Sequence, residues 1–176
     1  MESAGLKSNK ELVGIFIDHE NINISIAKNS DKNPKLYDIL YDIEAIAKRG
    51  GEEGRIVIGK VYAPRLNEGK SFKFHKNGID PIYTPEYKNE KYSKSLADPM
   101  MICDIMETLY EREEISVYMI LTNDKDFIPV IRKLSEHGKK VILMSVKGPS
   151  LSDDLVKECN DKSFPVEEIP VRFHTF

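Results

Sequence analysis

A chain of 176 residues and 20.1 kDa has the length of one ordinary domain, and 40% hydrophobic against 31% charged residues is a composition able to bury a full core. That excludes wholesale disorder and a two-domain enzyme. The longest apolar runs, Val117 to Leu121 and Val141 to Val146, fall far short of the roughly 20 residues that cross a bilayer, so no membrane partner is expected. Residues 1–11 are polar, without the apolar stretch and cleavage site of a secretory leader, and cysteine is limited to Cys103 and Cys159, which points to a reducing cytoplasm. Four scattered histidines and no CxxC pair leave nothing to build a structural zinc site.

In chain order, the first nine residues read as a loose terminus, and a single domain is expected from Lys10 to Phe176. Leu12 to Ile17 is a short apolar strand. Pro34 to Arg49 carries Leu36, Ile39, Leu40, Ile43, Ile46 and Ala47 at helical spacing and stops at Gly50 and Gly51. Strands follow at Arg55 to Tyr62 and Ile79 to Tyr83. Asp98 before Pro99 reads as an N-cap with proline at the first helical position, opening a helix with Met101, Ile102, Ile105, Met106 and Leu109 in phase that ends near Arg112. A fourth strand at Ser116 to Leu121, a helix at Phe127 to His137 closed by Gly138, a fifth strand at Val141 to Val146 and a last helix at Ser150 to Cys159 complete the series. Short β-branched runs alternating with amphipathic stretches predict an α/β fold with a mainly parallel five-stranded sheet covered on both faces.

The net charge of −3 conceals an asymmetry. Lys60 to Lys94 holds eight Lys or Arg against four acids, and six of the fifteen aromatics interleave with its lysines. Basic side chains attract a phosphate backbone and aromatic faces stack on unpaired bases, although a solvated basic face with ordinary core aromatics has the same composition. Phe72 and Phe74 are assigned to packing.

The acidic residues are more informative. In open α/β sheets the functional crevice lies beyond the carboxyl ends of the strands, at the point where strand order reverses. The first strand ends in Asp18-His19-Glu20-Asn21 and the fourth in Thr122-Asn123-Asp124-Lys125-Asp126, and these two strands are expected to be neighbours. Asp98 opens the helix leading into the fourth strand, with Asp104 about one and a half turns further in. Taken singly, Asp98 fits an N-cap, and Asp124 or Asp126 fits the positive end of the next helix. Asp18 closes an apolar strand, where burial without a partner is costly, while His19 and Glu20 point away. Carboxylates crowd together only when a cation neutralises them, and an all-oxygen donor set selects Mg²⁺ or Mn²⁺ over zinc or copper.

On these residues the chain resembles an NYN domain of the LabA-like group within the PIN-like nuclease superfamily. The matching pieces are Ile15-Phe16-Ile17-Asp18 with Asn21, Lys94 ahead of Asp98 and Asp104, and Thr122-Asn123-Asp124-Lys125-Asp126-Phe127-Ile128-Pro129. Gly138-Lys139-Lys140-Val141, Leu151 and Asp161 ahead of Phe164 follow in the family's order. The resemblance implies a PIN-like α/β/α sandwich and a magnesium- or manganese-dependent ribonuclease site carried by Asp18, Asp98, Asp124 and Asp126, assisted by Asn21, Asp104, Thr122 and Asn123. The family's usual Ser-Gly is Thr122-Asn123 here: the hydroxyl is preserved, and asparagine tolerates unusual backbone angles nearly as well as glycine. Lys94 stands four residues before Asp98, where three is commoner.

RNA is thus the expected partner. Lys88, Lys91 and Lys94 are assigned to phosphates, and Tyr87 or Tyr92 to a stacked base. The rival reading is a catalytically silent nucleic-acid-binding or protein-docking module with the same fold. A phosphoacceptor receiver fits poorly, because the third strand leads into Tyr83-Thr84-Pro85 with no acceptor aspartate. Relatives of this fold often pair, so a homodimer is a further expectation, with Phe164 to Phe176 available to cover a partner or the chain's own sheet.

Overall fold

Residues 10–29 and 39–172 are described in the computed structural model, so the expected loose terminus and residues 34–38 of the second expected helix lie outside the described residues. Strand β1 (Leu12–Asp18) is buried along nearly its whole length because it lies at the middle of the sheet with helices on both sides. It is followed by helix α1 (His19–Asn29), helix α2 (Ile43–Glu53), strand β2 (Arg55–Ala63), helix α3 (Glu68–His75) and strand β3 (Asp80–Tyr83). A small antiparallel hairpin, β4 (Glu86–Lys88) and β5 (Ser93–Ser95), precedes helix α4 (Ala97–Glu111). The chain closes with strand β6 (Val117–Leu121), a 3₁₀ turn at Lys125–Phe127, helix α5 (Ile128–Glu136), strand β7 (Lys140–Ser145), helix α6 (Asp153–Asp161) and strand β8 (Val166–Glu168).

The main sheet has six parallel strands in the order β3-β2-β1-β6-β7-β8, one more than expected. The added strand β8 is three residues after Pro165, two half-buried and Glu168 exposed, too short and too polar to carry a strand pattern. Its position settles the role of the C-terminal stretch: Ile169 is buried and Val171 bridges Tyr41, so the tail through Arg172 covers the chain's own sheet. Among the described residues no helix is long and apolar enough to cross a membrane.

Strand alternation divides the core in two. Val13, Ile15 and Ile17 of β1, with Val117, Met119 and Leu121 of β6, face α1, α2 and α3. Phe16, Tyr118, Ile120, Val141 and Leu143 face the opposite way, onto Met101, Ile105 and Leu109 of α4 and onto Ile131, Leu134, Leu155 and Cys159 of α5 and α6. By the same parity Asp18 projects from the α4 face.

Several expected boundaries move, the last helix among them, which runs from Asp153 to Asp161 behind its Ser152 cap. Helix α2 begins at Ile43, capped by the Asp42 carboxylate on Ala45 N (3.1 Å), and runs through Gly50 and Gly51 to Glu53. Gly50 is a packing residue, since a Cβ there would stand 2.9 Å from Ile15 Cδ1. Helix α4 begins at Ala97, where Ser95 Oγ accepts from Ala97 N (3.1 Å). Asp98 therefore lies inside the first turn and is not the N-cap. Gly138 closes α5 with φ of 72°, as expected of a left-handed helix terminator.

At Gly59 in β2 an added Cβ would lie 2.4 Å from the Gly78 carbonyl oxygen, a backbone atom with no rotamer to yield. Gly59→Ala is expected to lower stability by about 1–3 kcal/mol or more. Thermal unfolding of the variant measures this, and an unchanged Tm would show that the β2–β3 edge is not tightly packed.

Candidate metal centre

The strand order reverses between β1 and β6, which opens the crevice at their carboxyl ends and brings Asp18, Asp98, Asp124 and Asp126 to one place. Asp98, Asp124 and Asp126 each offer a carboxylate oxygen within 4.8 Å of the others. Asp18, 2% exposed at the end of β1, is hydrogen-bonded to Asp98. Among the described residues no lysine or arginine forms an ion pair with any of the four.

Each carboxylate is held by its surroundings. Thr122 Oγ1 lies 3.2 Å from Asp18 Oδ2 and 3.4 Å from Asn21 Oδ1, and accepts from Asp124 N at 3.1 Å. Asn21 stands behind the cluster: its Oδ1 accepts from Asn123 N at 2.8 Å, and its backbone N–H hydrogen-bonds Asp18. Asp124 also caps the 3₁₀ turn, accepting from Asp126 N at 2.9 Å, so its helix-end role and its place in the cluster coexist. Asn123 does not serve as a glycine substitute. Among the described residues Ser163 is the non-glycine residue with positive φ, and Asn123 is there for its amide. It donates from Nδ2 to Val146 O (2.9 Å) and accepts at Oδ1 from Val146 N (2.8 Å), locking the β6 exit to the end of β7.

Burial pushes Asp18 well above the ordinary carboxylate range, and the neighbouring Asp98 adds to it. Burial also raises Asp98, to about 6; the charges of Asp124 and Asp126 add to the rise, while the hydrogen bond from Asp18 opposes it. Both carboxyls are thus held above the ordinary range by burial, Asp18 the more strongly. A hard divalent ion fits this donor set, which is all oxygen, anionic, crowded and, among the described residues, not ion-paired to a cationic side chain.

The remaining expected residues divide. Asp104 is six residues from Asp98 and is not among the converging carboxylates: Tyr62 Oη donates to its Oδ2 at 2.7 Å and Lys60 Nζ lies 3.6 Å away. His19 is buried against Tyr41 and Phe74, its Nδ1 2.6 Å from Tyr41 Oη, and burial lowers it to about 4. It faces away from the carboxylates, as expected. Tyr87, Lys88, Lys91, Tyr92 and Lys94 all lie exposed on the β4–β5 hairpin, with Tyr87 opposite Lys94 and the Tyr87 and Tyr92 rings 6.1 Å apart. Leu96 N bonds to Pro85 O at 3.0 Å, fixing the hairpin immediately before Asp98. Phe74 is buried as expected, but Phe72 is 65% exposed. The available signal was the N-cap Asn67: on the helix it opens, two residues of spacing turn Phe72 and Phe74 to opposite sides, so only one can reach the core.

The chain matches the NYN domain over residues 12–167 and belongs to that family, within the PIN-like nuclease superfamily. It is 35% identical over 106 residues to an uncharacterized protein of Methanocaldococcus jannaschii, a match spanning 60% of this chain and 40% of that one. A crystal structure of a protein of unknown function from Vibrio parahaemolyticus shares the fold, with a TM-score of 0.70 over 96% of both chains at 20% identity.

Proposed function

We propose that this NYN domain is a divalent-metal-dependent ribonuclease that hydrolyses phosphodiester bonds within single-stranded or structured RNA. The observation that carries the proposal is the convergence of Asp98, Asp124 and Asp126 beside the buried Asp18, with no lysine or arginine ion-paired to any of them among the described residues. These four would hold Mg²⁺ or Mn²⁺. Such an ion supplies, when bound, activation of water and neutralisation of the charge that develops on the phosphodiester.

The chain's own residues do the rest. Thr122 Oγ1 and the Asn21 backbone N–H hold Asp18, Asn21 and Asn123 brace the turn that presents Asp124, and Tyr62 with Lys60 anchors Asp104 on the side of α4. Because RNA is an anion, an acidic crevice requires cations at its margin, and the hairpin next to Asp98 provides Lys88, Lys91 and Lys94 beside Tyr87 and Tyr92. A site reading only the metal and the backbone would leave base identity to these flanking contacts.

Incubation of the purified protein with labelled single-stranded RNA in manganese is expected to give internal cleavage that EDTA stops. Tight binding with no cleavage in manganese would instead favour the silent binding module.

A further inference from the structure

Tyr87 to Lys94, the outer part of the β4–β5 hairpin, are exposed throughout, and the two faces of this ribbon differ. Cross-strand partners share a face, so Glu86 with Ser95 and Lys88 with Ser93 lie on one side and Tyr87 with Lys94 on the other. Two contacts bear out the division. Lys88 Nζ reaches Glu86 Oε2 at 3.5 Å on the first face, and the Tyr87 and Tyr92 rings meet at 6.1 Å on the second. The first face is turned to the body of the fold: Glu86 is half-buried and accepts from Arg65 Nη2, at 3.0 Å, in the loop that follows β2. The second face presents Tyr87, 58% exposed, Tyr92, 55% exposed, and the exposed Lys94.

The ribbon is braced at both ends. Thr84 Oγ1 lies 3.3 Å from Ser95 Oγ at its base, and at the turn Asn89 N donates to Tyr92 O at 3.0 Å while Asn89 Oδ1 accepts from Tyr92 N at 2.9 Å. Rings held half in solvent on a braced ribbon lose little freedom on meeting a flat ligand. Lys94 stands four residues before Asp98, so the chain itself keeps these two Cα atoms within about 14 Å. Charge then selects among flat ligands: Lys88, Lys91 and Lys94 stand against Glu86 and Glu90, and Glu86 is already paired with Arg65. Aromatic faces beside a cation match an unpaired base with its phosphate, whereas the bases of a duplex are stacked on one another and closed to them.

We infer that the outer face of the hairpin, formed by Tyr87, Tyr92 and Lys94, is a platform for unpaired nucleotides that makes single-stranded RNA, rather than duplex, the preferred substrate. The inference rests on the ribonuclease reading for the identity of its ligand and deepens it. The tyrosines take bases and Lys94 a phosphate, while Arg65, through Glu86, is a positioning residue that holds the opposite face to the body.

Binding of a labelled, unstructured RNA oligonucleotide, and of the same strand annealed to its complement, is measured by fluorescence anisotropy in EDTA across a salt series, and cleavage of both is followed in manganese. Tyr87→Ala and Tyr92→Ala are each expected to weaken single-strand binding by roughly 5- to 150-fold, the loss of one stacked base, and to change duplex binding far less. Tyr92→Phe is expected to retain binding and Tyr92→Leu, which keeps an apolar neighbour for Tyr87, to lose it. Lys94→Ala is expected to lower the slope of log affinity against log salt by about 0.7, one phosphate contact on a single strand, which a loosened hairpin alone would not do. Tyr110→Ala, an exposed aromatic at the far end of α4, stays at wild-type affinity. Wild-type affinity in both tyrosine-to-alanine variants, with the parent protein still binding and cleaving RNA, would overturn the platform alone. Full affinity in Tyr92→Leu would overturn stacking, a larger fall in slope for Lys88→Ala than for Lys94→Ala would overturn the face assignment, and equal affinity of the parent for strand and duplex would overturn the preference. Binding that needs both tyrosines, without cleavage in manganese, would support the platform and overturn the ribonuclease reading; a parent that neither binds nor cleaves either RNA would overturn both.

Discussion

Asp98→Asn and Asp124→Asn are each expected to reduce manganese-dependent RNA cleavage by on the order of 10³-fold, with the fold retained. Both side chains are half-buried, and asparagine is nearly isosteric with aspartate. In Asp124→Asn the amide oxygen can still accept from Asp126 N, preserving the cap on the 3₁₀ turn, and Asp98 has no capping role to lose. What changes is charge. Each substitution removes one of the proposed anionic ligands, and metal stabilisation of the transition state amounts to several kcal/mol at about 1.4 kcal/mol per tenfold in rate. Asp126→Asn should lose less, because Asp126 is exposed and solvent can replace its oxygen. Asp104→Asn separates the cluster from its surroundings: its carboxylate is already engaged by Tyr62 and Lys60, so manganese affinity should persist. Single-turnover cleavage, manganese titration by calorimetry and far-UV circular dichroism test the series together. Wild-type rates in both Asp98→Asn and Asp124→Asn would remove the carboxylates from the chemistry.

The central strands were legible because burial on both faces leaves β1 up to Ile17 and all of β6 almost entirely apolar, so an apolar run ending in acids stands out against any background. The hairpin was not, since Glu86–Lys88 and Ser93–Ser95 are short and polar and are held by Asn89, which accepts from Lys91 N and Tyr92 N. Helix α1 escaped notice for a related reason: it buries only His19, Ile22, Ser25 and Ile26, a stripe too mixed to read as periodic. Within the site, strand ends located Asp18, Asp124 and Asp126. Asp104 could have been set aside by helix geometry alone, as six residues advance about 600°, leaving it about 120° away from Asp98 around the axis. The reversal of α4's first turn, in which Ser95 rather than Asp98 satisfies the leading N–H, depends on where the hairpin ends, and no local pattern announces that.

The same carboxylates should make the metal-free protein less stable as pH rises, against the trend set by its ion pairs. Asp98 is raised to about 6 in the folded chain from an ordinary 3.8, so the folded state binds its proton more tightly than the unfolded one. The resulting stabilisation is complete below about pH 4 and is lost as pH climbs through 6. Asp18, raised further by burial, extends the loss to higher pH. Glu158, lowered to about 2 by Arg132 and Lys162, works in the opposite direction; its contribution is present above the unfolded value and lost as pH falls towards 2. Wild type alone would show only the sum, so the informative quantity is the difference from Asp18→Asn. At pH 7.5 in EDTA that variant is expected to be more stable than wild type, because it removes the buried carboxylate that Asp98 faces. At pH 4 the difference should vanish. Adding manganese should reverse the order, because ligand at about 100 times its Kd stabilises the folded wild type by about 2.7 kcal/mol and Asp18→Asn forfeits most of it. Melting curves at both pH values, with and without manganese, read all four quantities, and an Asp18→Asn variant that is less stable than wild type in EDTA at pH 7.5 would mean that the cluster is not strained by its own charge.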